Sequence, residues 1–237
     1  MHIHRKIFLA TVVFVMWACF LFFILHSCKE VGQGKNREGI IEYKVTYLEN
    51  TMSKNIPTNL LPGKMILKFK NDKSIISIDG FMGLFSLTII NDHKKRVSVS
   101  LMKVINKKYF YESEPGESSF CFKEIPGMKV ELRRGIKEIS GLQCKRGRVS
   151  FPNSDQEPFI FYYTDDISIK SPNYDNPYSM VDGVLIKFQI KLNKLRMELM
   201  ADKIKLTEIS NNEFKIPDGY RKVSKTDMED ILNTLME

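Results

Sequence analysis

Histidine is the side chain best suited to acid–base chemistry near neutral pH, and this chain offers one candidate beyond its N-terminal segment. Three of the four histidines lie within the first 26 residues, which leaves His93. It stands between Asn91-Asp92 and Lys94-Lys95, a composition typical of a turn, where we expect a solvated ring. A hydrolase would have to recruit His93 as its base.

The most conspicuous carboxylates are the neighbours Asp165 and Asp166, which follow the aromatic run Phe159 to Tyr163. Adjacent residues of a strand point to opposite faces, so the two cannot act together on one substrate. A strand end or turn is the better interpretation. Because no His, Cys and Asp cluster shows metal spacing, we expect no metal site. A lone histidine, carboxylates that cannot act together and the lack of a phosphate-binding loop lead us to expect no cofactor and no enzymatic activity.

The N-terminal segment addresses the chain to a membrane. Arg5 and Lys6 precede 19 uncharged, mostly apolar residues from Ile7 to Leu25. About 20 such residues span a bilayer as an uncleaved helix, whereas the apolar core of a signal peptide usually has about 7–15. Length alone therefore favours a permanent anchor in the inner membrane.

The end of this segment favours the other interpretation. Leu25-His26-Ser27-Cys28 resembles the lipobox of bacterial lipoproteins, although His26 departs from its usual small residue. The resemblance implies a signal peptide over 1–27, acylation of Cys28, and a tether over 28–38. Lys29, in place of the aspartate that retains some lipoproteins at the inner membrane, favours an outer-membrane lipoprotein.

An exported chain leaves two cysteines in an oxidising compartment. Cleavage would remove Cys19 and acylation would use Cys28, so Cys121 and Cys144 remain as an even pair. They form either a disulfide or two reduced cysteines that pack as small hydrophobes. Both interpretations stay open at this point.

Composition and net charge limit the class of protein and the kinds of partner it can bind. With 237 residues, 43% of them hydrophobic, the chain can bury a substantial core, which excludes disorder and a multi-span transporter. Removal of Arg5 and Lys6 leaves 34 cationic against 28 acidic residues, a net charge of about +6. Anionic lipid surfaces or acidic polymers suit this balance. We expect no nucleic acid.

Hydrophobic alternation of period two dominates the chain from Gly39 onward and predicts strands with one apolar face. Turn residues separate the runs and indicate ten or eleven antiparallel strands in one sheet, which must curl because strand twist accumulates. We therefore predict a mainly β fold, one curved antiparallel half-barrel over 39–237. The clearest alternating sets are Ile41, Tyr43, Val45 and Tyr47; Met65, Leu67 and Phe69; Val97, Val99 and Leu101, with Ser98 and Ser100 on the wet face; and Ile186, Phe188 and Ile190.

The C-terminus is the exception to this period. Met228, Ile231, Leu232 and Leu235 recur at helical spacing, and Thr226 and Glu229 fit a capping box. This pattern predicts an amphipathic helix whose apolar stripe forms a lid over the curved sheet. A second helical or irregular stretch is expected between Asn50 and Leu61.

Four segments together resemble a family of exported bacterial proteins named after its GLPGLI motif, and its lipoprotein relatives. They are Lys137-x-Ile139-x-Gly141-x-x-Cys144-Lys145, Tyr163-Thr164-Asp165-Asp166-Ile167, Val181 to Ile186, and Phe214-x-Ile216-Pro217-x-Gly219-Tyr220. Asp182 and Val184 replace the Pro and Leu of the motif. The resemblance implies a fold similar to the lipoprotein-localisation (LolA-like) factors, whose concave face holds acyl chains.

Two non-catalytic functions fit these observations. In the first, an envelope lipoprotein binds an apolar or amphipathic ligand, such as a lipid, in the concave face. In the second, it is an interaction or assembly subunit that docks an envelope protein partner. An empty apolar cavity would favour the first and a filled interior the second, and a hydrolase using His93 ranks third.

Overall fold

The computed structural model describes residues 36–50, 61–80, 83–118, 122–123, 125–153, 155–192 and 195–235. The apolar segment Ile7 to Leu25, the predicted acylation site Cys28, residues 51–60 and Cys121 lie outside these ranges. Within the described ranges, no helix has both the length and the apolar character that crossing a bilayer requires.

Strands make up most of the described chain. They are β1 (Glu38–Asn50), β2 (Lys64–Lys70), β3 (Lys73–Gly80), β4 (Phe85–Asp92), β5 (Val97–Val104), β6 (Lys107–Glu112), β7 (Phe122–Lys123), β8 (Lys129–Ile139), β9 (Leu142–Ser150), β10 (Phe159–Thr164), β11 (Val184–Leu192), β12 (Leu195–Lys205) and β13 (Arg221–Lys222). A short 3-10 helix spans Asn211–Phe214, and the α-helix α1 spans Lys225–Leu235.

All the strands join one curved, open sheet, which confirms the predicted fold class. Their order is β13-β6-β5-β4-β3-β2-β1-β12-β11-β10-β9-β8, and β7 pairs with β11 off this path. Neighbours run antiparallel, except that β13 pairs with β6 in parallel. The two-residue strands β7 and β13 raise the number to thirteen, above the ten or eleven predicted.

The concave face of the sheet holds the main core. Alternation places Ile41, Tyr43 and Val45 of β1 inside, as predicted, and the Tyr43 hydroxyl donates to the carbonyl of Leu185 at 2.7 Å. Apolar side chains of β1 to β5 and β9 to β12 form one continuous cluster there. The described interior is therefore filled largely by the chain's own side chains.

The outer face is not uniformly wet, and this corrects one strand prediction. On β5, Ser98 and Ser100 are buried, whereas Val99 packs on the outer face. The outer face is apolar here because the segment after β12 covers it, laying Phe214 and Tyr220 against Ile75, Ile90 and Leu101. The backbone stays hydrogen-bonded at this buried point, since the Ser98 amide donates to the Ser113 hydroxyl at 2.8 Å.

Helix α1 closes the concave face as the sequence predicts, but its cap lies earlier. Met228 and Leu232 are buried in the main core, and Ile231 and Leu235 pack against it. The capping box is formed by Ser224 and Asp227 rather than by Thr226 and Glu229. Ser224 Oγ accepts from the Asp227 amide at 3.1 Å, and the Asp227 carboxylate accepts from the Ser224 amide at 3.2 Å.

Candidate functional site

His93 is buried and paired, so the prediction of a solvated ring is wrong although the turn is right. Only 3% of its surface is exposed. Its Nε2 lies 2.7 Å from Ser74 Oγ, and its Nδ1 lies 3.4 Å from the carbonyl oxygen of Ser171. Strand register creates this pair, because β3 and β4 place Ser74 opposite Asn91, two residues before the histidine.

The His93–Ser74 pair has the arrangement of a base beside a hydroxyl, but in a closed setting. Burial lowers the pKa of His93 to about 4, so the ring is neutral near pH 7. With Nδ1–H donating to Ser171, Nε2 accepts from the Ser74 hydroxyl. Ser74 is only 2% exposed, and the ring is oriented by a distant carbonyl rather than a carboxylate. These features suit a structural hydrogen bond better than a nucleophile.

A cavity of about 60 Å³ adjoins this pair. Its lining combines a few polar side chains from the His93 turn and the β10–β11 connection with apolar side chains of the concave face. A space of this size holds a few water molecules and is too small for an acyl chain. The lining residues include Ser74, His93, Asn173, Asn176, Tyr43 and Phe188.

The connection between β10 and β11 forms one wall of this cavity and carries polar residues that sequence reasoning missed. Asn173 Nδ2 donates to the carbonyls of Val181 and Gly183, at 2.8 and 2.9 Å. The Tyr174 ring meets His93 edge to face. Asp175 is buried, its Oδ2 has no hydrogen-bond partner in the described part of the chain, and burial raises its pKa to about 6. The Asn-, Asp- and Pro-rich composition of this connection is the only sequence signal for it.

Asp165 and Asp166 directly follow β10, which confirms the prediction of a strand end. They serve different partners on the neighbouring strand. Asp165 forms an ion pair with Lys145, and Asp166 Oδ2 accepts from the Gln143 amide at 2.9 Å. Each carboxylate therefore fixes the β9–β10 edge separately.

A second hollow lies beneath α1, where the sequence predicted a ligand under a lid. It measures about 30 Å³, and nearly all of its surface is apolar. Of the predicted lid residues, Leu232 and Leu235 line it, whereas Met228 and Ile231 pack elsewhere on the core. In this geometry the helix itself fills most of the space it covers.

A concave feature larger than both of these spaces lies on the outer face. We call it the outer groove, a depression of about 480 Å³ lined by Lys137, Glu138, Ile139, Ser140, Phe159, Ile160, Tyr162, Lys187, Glu198 and Met200. Its floor is apolar, with Ile160 and Met200 each at least two-fifths exposed. Charges of both signs surround this floor, since Lys187 pairs with Glu198 at 3.3 Å.

The β8–β9 hairpin forms one wall of the outer groove because β8 is bent. The register of β8 against β9 shifts between Arg133 and Ile136, and Gly135 has a φ of 123°. Beyond this bulge the hairpin reaches β12, where Ser140 Oγ donates to the Ala201 carbonyl at 3.0 Å. The alternation of hydrophobic and polar residues does not reveal such a bulge, and for this reason the sequence did not predict the groove.

Cys144 is a buried, free thiol. Its Sγ donates to the Leu142 carbonyl at 3.4 Å, and burial raises its pKa to about 11. Cys121, the other cysteine of the pair, lies outside the described residues, so the disulfide and the reduced pair both stay predictions.

Two glycines of the segments that resemble the GLPGLI family have clear backbone roles. Gly141 sits in the β8–β9 turn with a φ of 81°. At Gly183 a Cβ atom would lie 2.7 Å from the Thr164 carbonyl oxygen, so the two chain segments approach too closely for any side chain. Both positions therefore serve the fold.

No protein-family model matches the chain, and no curated protein matches it. Two structures of PNGF-II, in space groups C2 and P21, resemble it with TM-scores of 0.52 and 0.50. Each is 11% identical over 83% of this chain, and the chain spans only about a third of the PNGF-II chain. At this identity the likeness shows the fold alone. The resemblance to the GLPGLI family stays a prediction.

Proposed function

We propose that the protein is a non-catalytic docking module of the cell envelope, anchored by acylation of Cys28, that holds a protein partner in the outer groove. One observation carries this proposal. The two interior spaces measure about 60 and 30 Å³, whereas the outer groove measures about 480 Å³. Ligand sites usually occupy roughly 300–1,000 Å³, which favours the groove over the interior.

The lining of the outer groove defines the chemistry of the partner. A floor of the exposed Ile160 and Met200 beside the half-buried Tyr162 suits an apolar side chain, because its burial removes apolar area from water. Lys137 and Glu138 stand on the hairpin wall, so the rim presents both signs of charge. A protein segment with an apolar anchor and flanking charges fits this surface better than an acyl chain.

The buried His93–Ser74 pair supports the non-catalytic part of the proposal, since Ser74 is only 2% exposed and its hydroxyl is already bonded to the neutral ring. The basic balance of the chain and its lipobox-like segment support the envelope location, with the outer membrane favoured by Lys29. We assign the Ser74 contact a structural role in joining β3 to the turn after β4.

Site-specific photo-crosslinking in cells that express the full chain tests the docking proposal. A crosslinking amino acid at Ile160 should yield a protein adduct of discrete mass, and the same probe at the exposed Leu84 should not. Introducing Met200→Glu beside the Ile160 probe should weaken the adduct by placing a charge on the apolar floor. No protein adduct at Ile160, or an equal one at Leu84, would contradict the proposal.

The apolar hollow beneath α1 favours a second candidate, the binding of an apolar or amphipathic ligand under the lid. Such a ligand requires α1 to move, because the present space is about 30 Å³. Native mass spectrometry of the full chain with a fluorescent fatty-acid titration tests this candidate. Uptake that Ile231→Asp abolishes, and that the exposed control Thr226→Asp preserves, would support it. Absence of uptake would exclude it.

A further inference from the structure

One rim of the sheet gathers six cationic side chains that make no ion pair within the described part of the chain. We call it the cationic rim. It consists of Arg37, Lys73, Lys94, Lys95, Arg96 and Lys170, all of them exposed. The other lysines near this rim behave differently, since Lys70 pairs with Glu38 and Lys145 pairs with Asp165.

Backbone hydrogen bonds hold the cationic rim together. The Asn71 amide donates to the Arg37 carbonyl at 2.6 Å, and the His93 amide donates to the Asp72 carbonyl at 2.8 Å. The Lys170 amide donates to Asp72 Oδ1 at 3.0 Å. These bonds tie the entry to β1, the β2–β3 turn, the β4–β5 turn and the β10–β11 connection into one surface.

Two carboxylates belong to the same turns, and neither neutralises the lysine side chains by contact. Asp72 accepts the Lys170 amide, and Asp92 Oδ1 accepts the Lys95 amide at 3.0 Å. Six cations against these two acids and Asp166, whose carbonyl accepts from the Asn36 amide at the same rim, leave the rim positively charged. Such a surface attracts anionic headgroups.

The chain enters the described domain at this rim. Asn36 donates to the Asp166 carbonyl at 2.8 Å, and its own carbonyl accepts from Ser168 at 2.9 Å. Only seven residues lie between Cys28 and Asn36, and the eight residue steps from one to the other span at most about 28 Å when fully extended. A bilayer that holds Cys28 therefore lies within reach of the rim.

We propose that the cationic rim binds the anionic phospholipid headgroups of the membrane that anchors the chain, and so seats the domain rim-down on the bilayer. This inference rests on the proposed membrane anchor. Charge complementarity and the short connection to Cys28 both favour a lipid surface over an acidic protein as the occupant.

Lysine reactivity of the full chain in vesicles tests the inference without any substitution. The chain is reconstituted into phosphatidylcholine vesicles, and into vesicles with about one-third phosphatidylglycerol. Acetylation by a membrane-impermeant reagent is then mapped by mass spectrometry. Lys73, Lys94, Lys95 and Lys170 should react several-fold more slowly on the anionic vesicles. Lys107, exposed at the start of β6 and opposite the far end of β5, should react equally on both.

Salt and flotation complete the design. At about 1 M salt, where the Debye length is about 3 Å, the protection should disappear. Flotation of the chain with the uncharged vesicles depends on the lipid anchor alone. If the chain does not float with them, the proposed anchor is wrong, whereas a chain that floats without protection of the rim lysines contradicts only the rim proposal. Equal rim reactivity on both vesicles, as expected if the rim serves an acidic protein, would overturn the inference. Equal slowing at Lys107 would do so as well.

Discussion

His93 lines the small cavity and packs against the ring of Tyr174, the neighbour of Asp175 in the chain. Burial shifts the pKa values of His93 and Asp175 in opposite directions. The pKa of His93 falls to about 4, and that of Asp175 rises to about 6. The folded protein therefore resists charging His93 and resists ionising Asp175. Their contributions to the pH dependence of stability oppose each other over the same range.

Single substitutions should separate these two contributions. In His93→Gln only Asp175 still contributes, and the folded protein binds its proton more tightly than the unfolded chain does. As the pH rises from about 4 to 6, the free energy of unfolding of this variant should therefore fall by roughly 2–3 kcal/mol relative to that of the wild type. Asp175→Asn leaves His93, which binds its proton less tightly when folded, so stability should rise between about pH 4 and 6.5. Urea denaturation across this range measures both slopes, and slopes of the same sign would contradict the burial of one of the two groups.

Gly147 on β9 is a position where only glycine fits. A Cβ atom there would lie 2.1 Å from Cζ of Phe161, a ring with no exposed surface. Gly147→Ala should therefore lower the free energy of unfolding by about 1–3 kcal/mol or more, because the packed ring must move. Gly63→Ala is the matched control, since no atom lies within 4 Å of its Cβ position. Equal denaturation midpoints for the two variants would count against the packing described.

Elements were predictable where a single period controls burial. Period two located β1, β2 and β11, and helical spacing located α1, because one face of each packs on the main core. The same logic misassigned Ser98 and Ser100, since the segment carrying Phe214 and Tyr220 covers the outer face of β5 from more than a hundred residues away. The residue pattern within a strand cannot show that a distant segment packs on its outer face.

The cap of α1 shows how a local signal can be duplicated. Both Ser224-x-x-Asp227 and Thr226-x-x-Glu229 fit a capping box, and only the backbone decides between them. Ser224→Ala should lower stability by about 1 kcal/mol, whereas Thr226→Ala, at an exposed position inside the helix, should change it far less. Thermal denaturation of the two variants checks the assignment, and the reverse order would restore the cap that the sequence predicted.

At the scale of the whole molecule, the sites arise from elements distant in sequence. The outer groove needs the bulge in β8 and the approach of Ser140 to β12, and the cationic rim needs four connections held together by backbone hydrogen bonds. The sequence predicted the curved sheet and its lid because these follow from period and twist. It did not predict the groove or the rim because both depend on register and on where loops meet.

The proposed lipid anchor would hold the cationic rim and the outer groove at the membrane. If Cys28 is acylated, the proposed cationic rim faces the bilayer to which the chain is held. The membrane then orients the domain rather than merely retaining it. The proposed docking function depends on this arrangement because a partner in the envelope must reach the groove.

Metabolic labelling with a clickable fatty acid tests the anchor most directly. The full chain, expressed in a bacterium that processes lipoproteins, should incorporate the label and lose its first 27 residues, as intact mass will show. Cys28→Ser should abolish both changes, whereas Cys144→Ser should retain them because Cys144 is buried in the core. Label retained in the Cys28→Ser variant, or no label in the wild-type chain, would contradict acylation and leave Ile7 to Leu25 as the anchor.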